Sequence, residues 1–144
     1  MAAPLLIVNP YSGRGAARRR AAELEHALHN AGLSWELAET QGPRHAEALA
    51  QQAAGRPILV AGGDGTIGEV LNGWQRARPG QVLGPIGLLP LGTANDLVHN
   101  LGLPTGLAAA ARVIAGGHTR RIDLGMANEW VFANNSAVGI EPVV

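Results

Sequence analysis

Gly62-Gly63-Asp64-Gly65-Thr66 is the stretch of this sequence best equipped for chemistry. Glycines let the main chain take positive φ and let a ligand come close to it. The N–H groups exposed there, and in the first turn of a helix behind it, can hold phosphate oxygens with help from the helix dipole. Asp64 can order the loop through hydrogen bonds or act through the water of a bound metal; the plainer alternative is that Asp64 or Thr66 caps the next helix. Two further runs repeat the pattern, Ser12-Gly13-Arg14-Gly15 and Gly92-Thr93-Ala94-Asn95-Asp96. In the first, Arg14 is the cation placed to touch a phosphate, unless it is solvated like its neighbours Arg18, Arg19 and Arg20. In the second, Thr93 and Asn95 can reach a ribose or a phosphate, and Asp96 is equally suited to capping the helix that follows.

Other chemistries are excluded by residue type. The chain has 144 residues and no Cys, so it has no disulfide framework, no Cys zinc site and no thiol nucleophile. It also has no Lys: all eleven basic residues are Arg. That removes the lysine-bearing phosphate loops and Schiff-base catalysis. Eleven acids balance the arginines to a net charge of zero, a poor basis for binding nucleic acid. There is no Gly-x-Ser-x-Gly elbow for a hydrolase. His26 and His29 have no third ligand near them in sequence, so no metal site is expected from the histidines. No apolar run is long enough to span a bilayer, and the start lacks the basic segment of a signal peptide, which points to the cytoplasm.

The three loops need elements to position them. Residues 4–8 form a continuous apolar run, as in a buried strand. A helix is expected over 16–30, with Ala17, Ala21, Leu24 and Leu28 inward and Arg19 paired with Glu23. A strand over 34–40, a helix over 43–54 and a strand over 57–61 follow. Ile67, Val70, Leu71 and Trp74 then fall at helical spacing. Residues 85–89 form a fourth strand, and 107–115 another helix. Trp35, Trp74 and Trp130 are expected in the core. This alternation predicts an α/β fold, a three-layer parallel sheet with helices on both faces. Ligands of such sheets sit outside the carboxyl ends of the strands, where all three loops would meet. The last part reads as two antiparallel strands, 119–128 and 129–135, joined at Asn128-Glu129.

Taken together, Asn9-Pro10-x-Ser12-Gly13-x-Gly15, Gly62-Gly63-Asp64-Gly65-Thr66-x-x-Glu69-Val70-x-Asn72-Gly73 and Pro90-Leu91-Gly92-Thr93-Ala94-Asn95-Asp96 resemble the diacylglycerol kinase catalytic domain. That family includes bacterial lipid kinases, sphingosine kinases and ceramide kinases. The resemblance runs on through Ile122-Asp123-Leu124-Gly125 and Asn134-x-x-x-x-Gly139. It implies a domain like the N-terminal domains of NAD kinases and phosphofructokinases, binding ATP and Mg²⁺. It also implies that Asn9, Thr40, Gly62 to Glu69 and Thr93 line the nucleotide. NAD kinases share Gly-Gly-Asp-Gly-Thr, where its Asp can accept a proton, but lack the third loop. The family's second domain is a β-sandwich that supplies the acidic general base and metal ligands. Residues 126–144 are expected to be only its start, with 1–125 as the nucleotide-binding domain. Ile140 and Glu141 depart from the aromatic-Asp pair of many members.

The sequence is therefore expected to be the ATP-binding part of a lipid kinase that passes the γ-phosphoryl group to a lipid hydroxyl such as that of diacylglycerol. It would meet the lipid transiently at a membrane surface and be inactive alone. A homodimer stays open. The alternatives are an NAD-kinase-like enzyme acting on a soluble nucleotide and a nucleotide-binding module without catalysis.

Overall fold

The computed structural model describes residues 3–53, 55–81 and 84–133. Four parallel strands form one sheet in the order β2-β1-β3-β4, comprising β1 (Leu5–Val8), β2 (Glu36–Glu39), β3 (Ile58–Gly62) and β4 (Ile86–Pro90). The central pair β1 and β3 is buried throughout, as continuous apolar runs require when both sheet faces are covered. Their side chains alternate between two cores. Leu6, Val8, Leu59 and Ala61 point into one, and Leu5, Ile7, Ile58 and Val60 into the other.

The first core is closed by α1 (Ala16–Arg19), α2 (Ala21–Asn30) and α6 (Leu107–Ala115). The second is closed by α3 (His45–Gln52), α4 (Asp64–Ala77) and Leu97 of the short α5 (Asp96–Asn100). The three layers are those expected, and the stripe Ile67, Val70, Leu71 and Trp74 is buried as its spacing requires. Strands β1 and β3 are neighbours whose onward connections run to opposite sides of the sheet, so a crevice opens at their carboxyl ends.

Several local expectations are corrected. The helix over 16–30 is broken at Arg20, whose φ of −100° and ψ of 12° lie outside the helical region. The loop before α1 is pinned to the sheet edge, whereas α2 lies on the sheet face, and one residue absorbs the change of direction. As a result Ala21 is exposed, Ala27 takes its place in the core, and Glu23 pairs with Arg20 rather than Arg19. Strand β2 is shorter than 34–40, and Leu37 is 55% exposed because β2 is a sheet edge. The antiparallel pair is present but short, as β5 (Gly125–Ala127) and β6 (Trp130–Phe132), with Asn128 at a φ of 57° in the turn. Among the described residues, this hairpin shares no strand pairing with the main sheet. Asn134 to Gly139, Ile140 and Glu141 lie outside the described residues.

Candidate functional site

The loops after β1, β3 and β4 meet at the carboxyl edge around a cleft of about 280 Å³. Asn9, Ser12 and Gly13 line it from the first loop, Gly63, Asp64, Gly65, Thr66 and Glu69 from the second, and Gly92 and Thr93 from the third. The loops are locked to one another. Asn9 Nδ2 donates to Thr66 Oγ1 at 3.1 Å, and Asn9 Oδ1 accepts the N–H of Tyr11 at 3.0 Å. Gly13, at a φ of 63°, presses on the third loop so closely that a Cβ there would stand 2.6 Å from the Leu91 carbonyl oxygen. A Cβ on Gly63 would stand 2.9 Å from Gly92 Cα.

Asp64 ties the second loop to the third. Its carboxylate accepts the N–H groups of Asp96 at 2.8 Å and Leu97 at 3.1 Å. It therefore caps α5, a helix 32 residues further on. Asp96, read as a cap from sequence, is the first residue of α5 and receives this cap. Asn95 holds the αL position before it, at a φ of 53°, and its carboxamide closes a ring with both backbone groups of Gly92.

The cap position of α4 is Gly63, which has no side chain to bond the first turn. The first turn, with the positive end of a fourteen-residue helix behind it, lines the cleft through Asp64, Gly65 and Thr66. Glu69, one turn on, also faces the cleft, and its Oε1 is buried without a hydrogen-bond partner among the described residues. Burial pushes the Glu69 carboxyl above the ordinary glutamate range, and the nearby Glu47 charge adds to this. The backbone N–H groups of Arg44, Ala46 and Glu47 at the start of α3 pull the other way.

Nine of the residues singled out from sequence line this cleft: Asn9, Ser12, Gly13, Gly63, Asp64, Gly65, Thr66, Glu69 and Thr93. Four lie off its wall. Arg14 is exposed at a φ of 58°, and Asn95 is engaged with Gly92. Gly62 ends β3 with Thr66 packed on its α-carbon, and Thr40 is buried beyond β2, its N–H donating to the Val8 carbonyl.

Sequence reasoning missed the layer beside the cleft. Glu47 is buried and pairs with both Arg44 and Arg76. The two guanidiniums stand 5.4 Å and 4.8 Å from the ring centre of Trp130, which is half exposed rather than in the core. Asn72 is buried on α4 and pairs with the backbone of Val131. A Glu and an Asn amid the buried positions of a helix were the available signals.

The model of the diacylglycerol kinase catalytic domain matches residues 3–127. The chain belongs to that family. Within it, a diacylglycerol kinase of Staphylococcus haemolyticus is 35% identical over 139 residues, covering 93% of this chain and 41% of the relative. One of Bacillus subtilis is 35% identical over 138 residues, covering 93% and 45%. The crystal structure of a diacylglycerol kinase from Bacillus anthracis superposes with a TM-score of 0.76 at 32% identity, covering 90% of this chain and 45% of that one. The chain thus spans less than half the length of these family members. Among the described residues, no helix is long and apolar enough to cross a membrane. No group of three or more His, Asp or Glu there is arranged to hold a metal ion.

Proposed function

We propose that this chain is the nucleotide-binding part of an ATP-dependent lipid kinase, which passes the γ-phosphoryl group of ATP to the hydroxyl of a lipid such as diacylglycerol. The observation that carries this reading is the start of α4, with a glycine at its cap position, opening into a cleft that all three glycine-rich loops line. Such a cleft suits a chain of phosphates: it offers backbone donors and a helix dipole. The buried, unpartnered Oε1 of Glu69 suits an occupant that brings donors of its own, such as a ribose.

The residues divide the work as follows. Gly63, Gly65 and Thr66 hold phosphate oxygens through their N–H groups. Asn9 keeps Thr66 in place, and Asp64 keeps the third loop closed so that Thr93 completes the wall. Mg²⁺ arriving with ATP would neutralise phosphate charge that this lysine-free chain otherwise leaves to backbone dipoles. Phosphoryl transfer depends mostly on such positioning and charge stabilisation. The lipid would be met transiently at a membrane surface from the cytoplasm.

Calorimetry with Mg-ATP tests the cleft. The native chain should bind, and Asp64→Ala and Gly63→Val should each abolish binding; equal affinity in all three proteins would overturn the reading. A phosphate-transfer assay offering diacylglycerol vesicles and NAD in parallel tests the acceptor. Label on NAD and none on lipid would replace the lipid by a soluble nucleotide.

A further inference from the structure

We propose that the β5–β6 hairpin and the cleft are thermodynamically linked: a ligand held at the start of α4 tightens docking of the hairpin, and the docked hairpin tightens that ligand. The inference rests on the reading of the cleft as a phosphate site.

A hairpin of two three-residue strands is not stable by itself, so its docking is an equilibrium with two states. Besides the burial of Val131 and the packing of Ala133 against the second core, two specific contacts hold it. The Asn72 carboxamide pairs with Val131, and the Trp130 ring lies beside Arg44 and Arg76. Both contacts are made by the same body that walls the cleft. Asn72 lies three residues beyond Glu69 on α4, and Arg44 precedes α3, whose first N–H groups face the Glu69 carboxyl. Glu47 joins the two arginines beneath Trp130. There is no slack in between, because α3 lies against α4 so closely that a Cβ on Gly73 would overlap the Glu47 carbonyl oxygen.

A ligand that fixes the Glu69 end of this body therefore fixes the surface on which the hairpin sits. Linkage of this kind is reciprocal. Asn72 and Trp130 are then positioning residues for a cleft that neither of them lines.

The test uses the full 144-residue chain. Hydrogen exchange of the Val131 amide, which donates to Asn72 Oδ1, reads the docking directly. Mg-ATP should slow that exchange about ten-fold. Asn72→Asp, which sets an oxygen against the Val131 carbonyl, and Trp130→Ala, which removes a half-exposed ring, should each weaken Mg-ATP binding about five- to ten-fold. Should Asn72→Asp fail to fold, Trp130→Ala decides. Val131 exchange unchanged by bound Mg-ATP, or folded variants binding like the native chain, would overturn the linkage alone. A native chain that does not bind Mg-ATP would bring down the phosphate reading and the linkage with it.

Discussion

Asn72, in the middle of a helix, behaves toward Val131 as a neighbouring strand would. Its Oδ1 accepts the Val131 N–H at 2.8 Å, and its Nδ2 donates to the Val131 carbonyl at 2.9 Å and to the Gly68 carbonyl at 2.8 Å. The open edge of β6 is thereby satisfied in a place closed to water. Asn72→Ala leaves both Val131 backbone groups without a partner. Each such orphan costs about 1–3 kcal/mol, so the variant should lose about 2–6 kcal/mol in urea unfolding. A loss under about 0.5 kcal/mol would mean that water replaces the carboxamide.

Gly73→Ala sets two effects against each other. Alanine favours a helix interior over glycine by about 1 kcal/mol. The new methyl group, however, would overlap the backbone oxygen of Glu47, which cannot swing aside as a side chain can. Overpacking of this kind costs about 1–3 kcal/mol. The expected net result is destabilisation, read as a lower midpoint in thermal unfolding; a higher midpoint would show that α3 and α4 separate at little cost.

Asp64 should matter to stability before any ligand is present. Its carboxylate caps α5 with both oxygens, and losing a cap costs about 0.5–2 kcal/mol. Asp64→Ala should speed amide exchange at Asp96 and Leu97 while exchange in β1 stays as it was. Asp64→Asn, which keeps one acceptor, should fall between the two.

The raised carboxyl of Glu69 makes stability depend on pH with a defined sign. Where the folded state holds the proton more tightly than the unfolded state, stability is full below the unfolded carboxyl range. It then falls as pH rises through the folded value. Glu69→Gln removes the buried charge, so it should unfold at a higher temperature than the native chain at pH 8. The difference should vanish near pH 4, below the window. An advantage that grows toward acid would contradict this sign.

How much of this was legible in the sequence depended on range. The buried strands β1 and β3 show as apolar runs, and α4 shows as a stripe, because burial on two faces or one face has its own period. Three glycine-rich loops after strands were enough to place a cleft at one sheet edge, since parallel strands must all end there. The break at Arg20 was not legible, because no residue type between Ala16 and Asn30 marks the change of direction that the fold imposes there.

The sequence by itself determined the layers, the edge at which the loops gather and the family to which they point. Missing lysine also meant that any phosphate must be held by main-chain donors, helix termini or arginine. Tertiary structure alone decided what the polar side chains do. Asp64 caps a helix 32 residues away, Asn95 turns back on Gly92, and Glu47 and Asn72 are buried for the sake of Trp130 and Val131. The reason is physical: periodicity records which face of an element is buried, whereas a hydrogen bond depends on where the fold brings two distant groups within about 3 Å of each other.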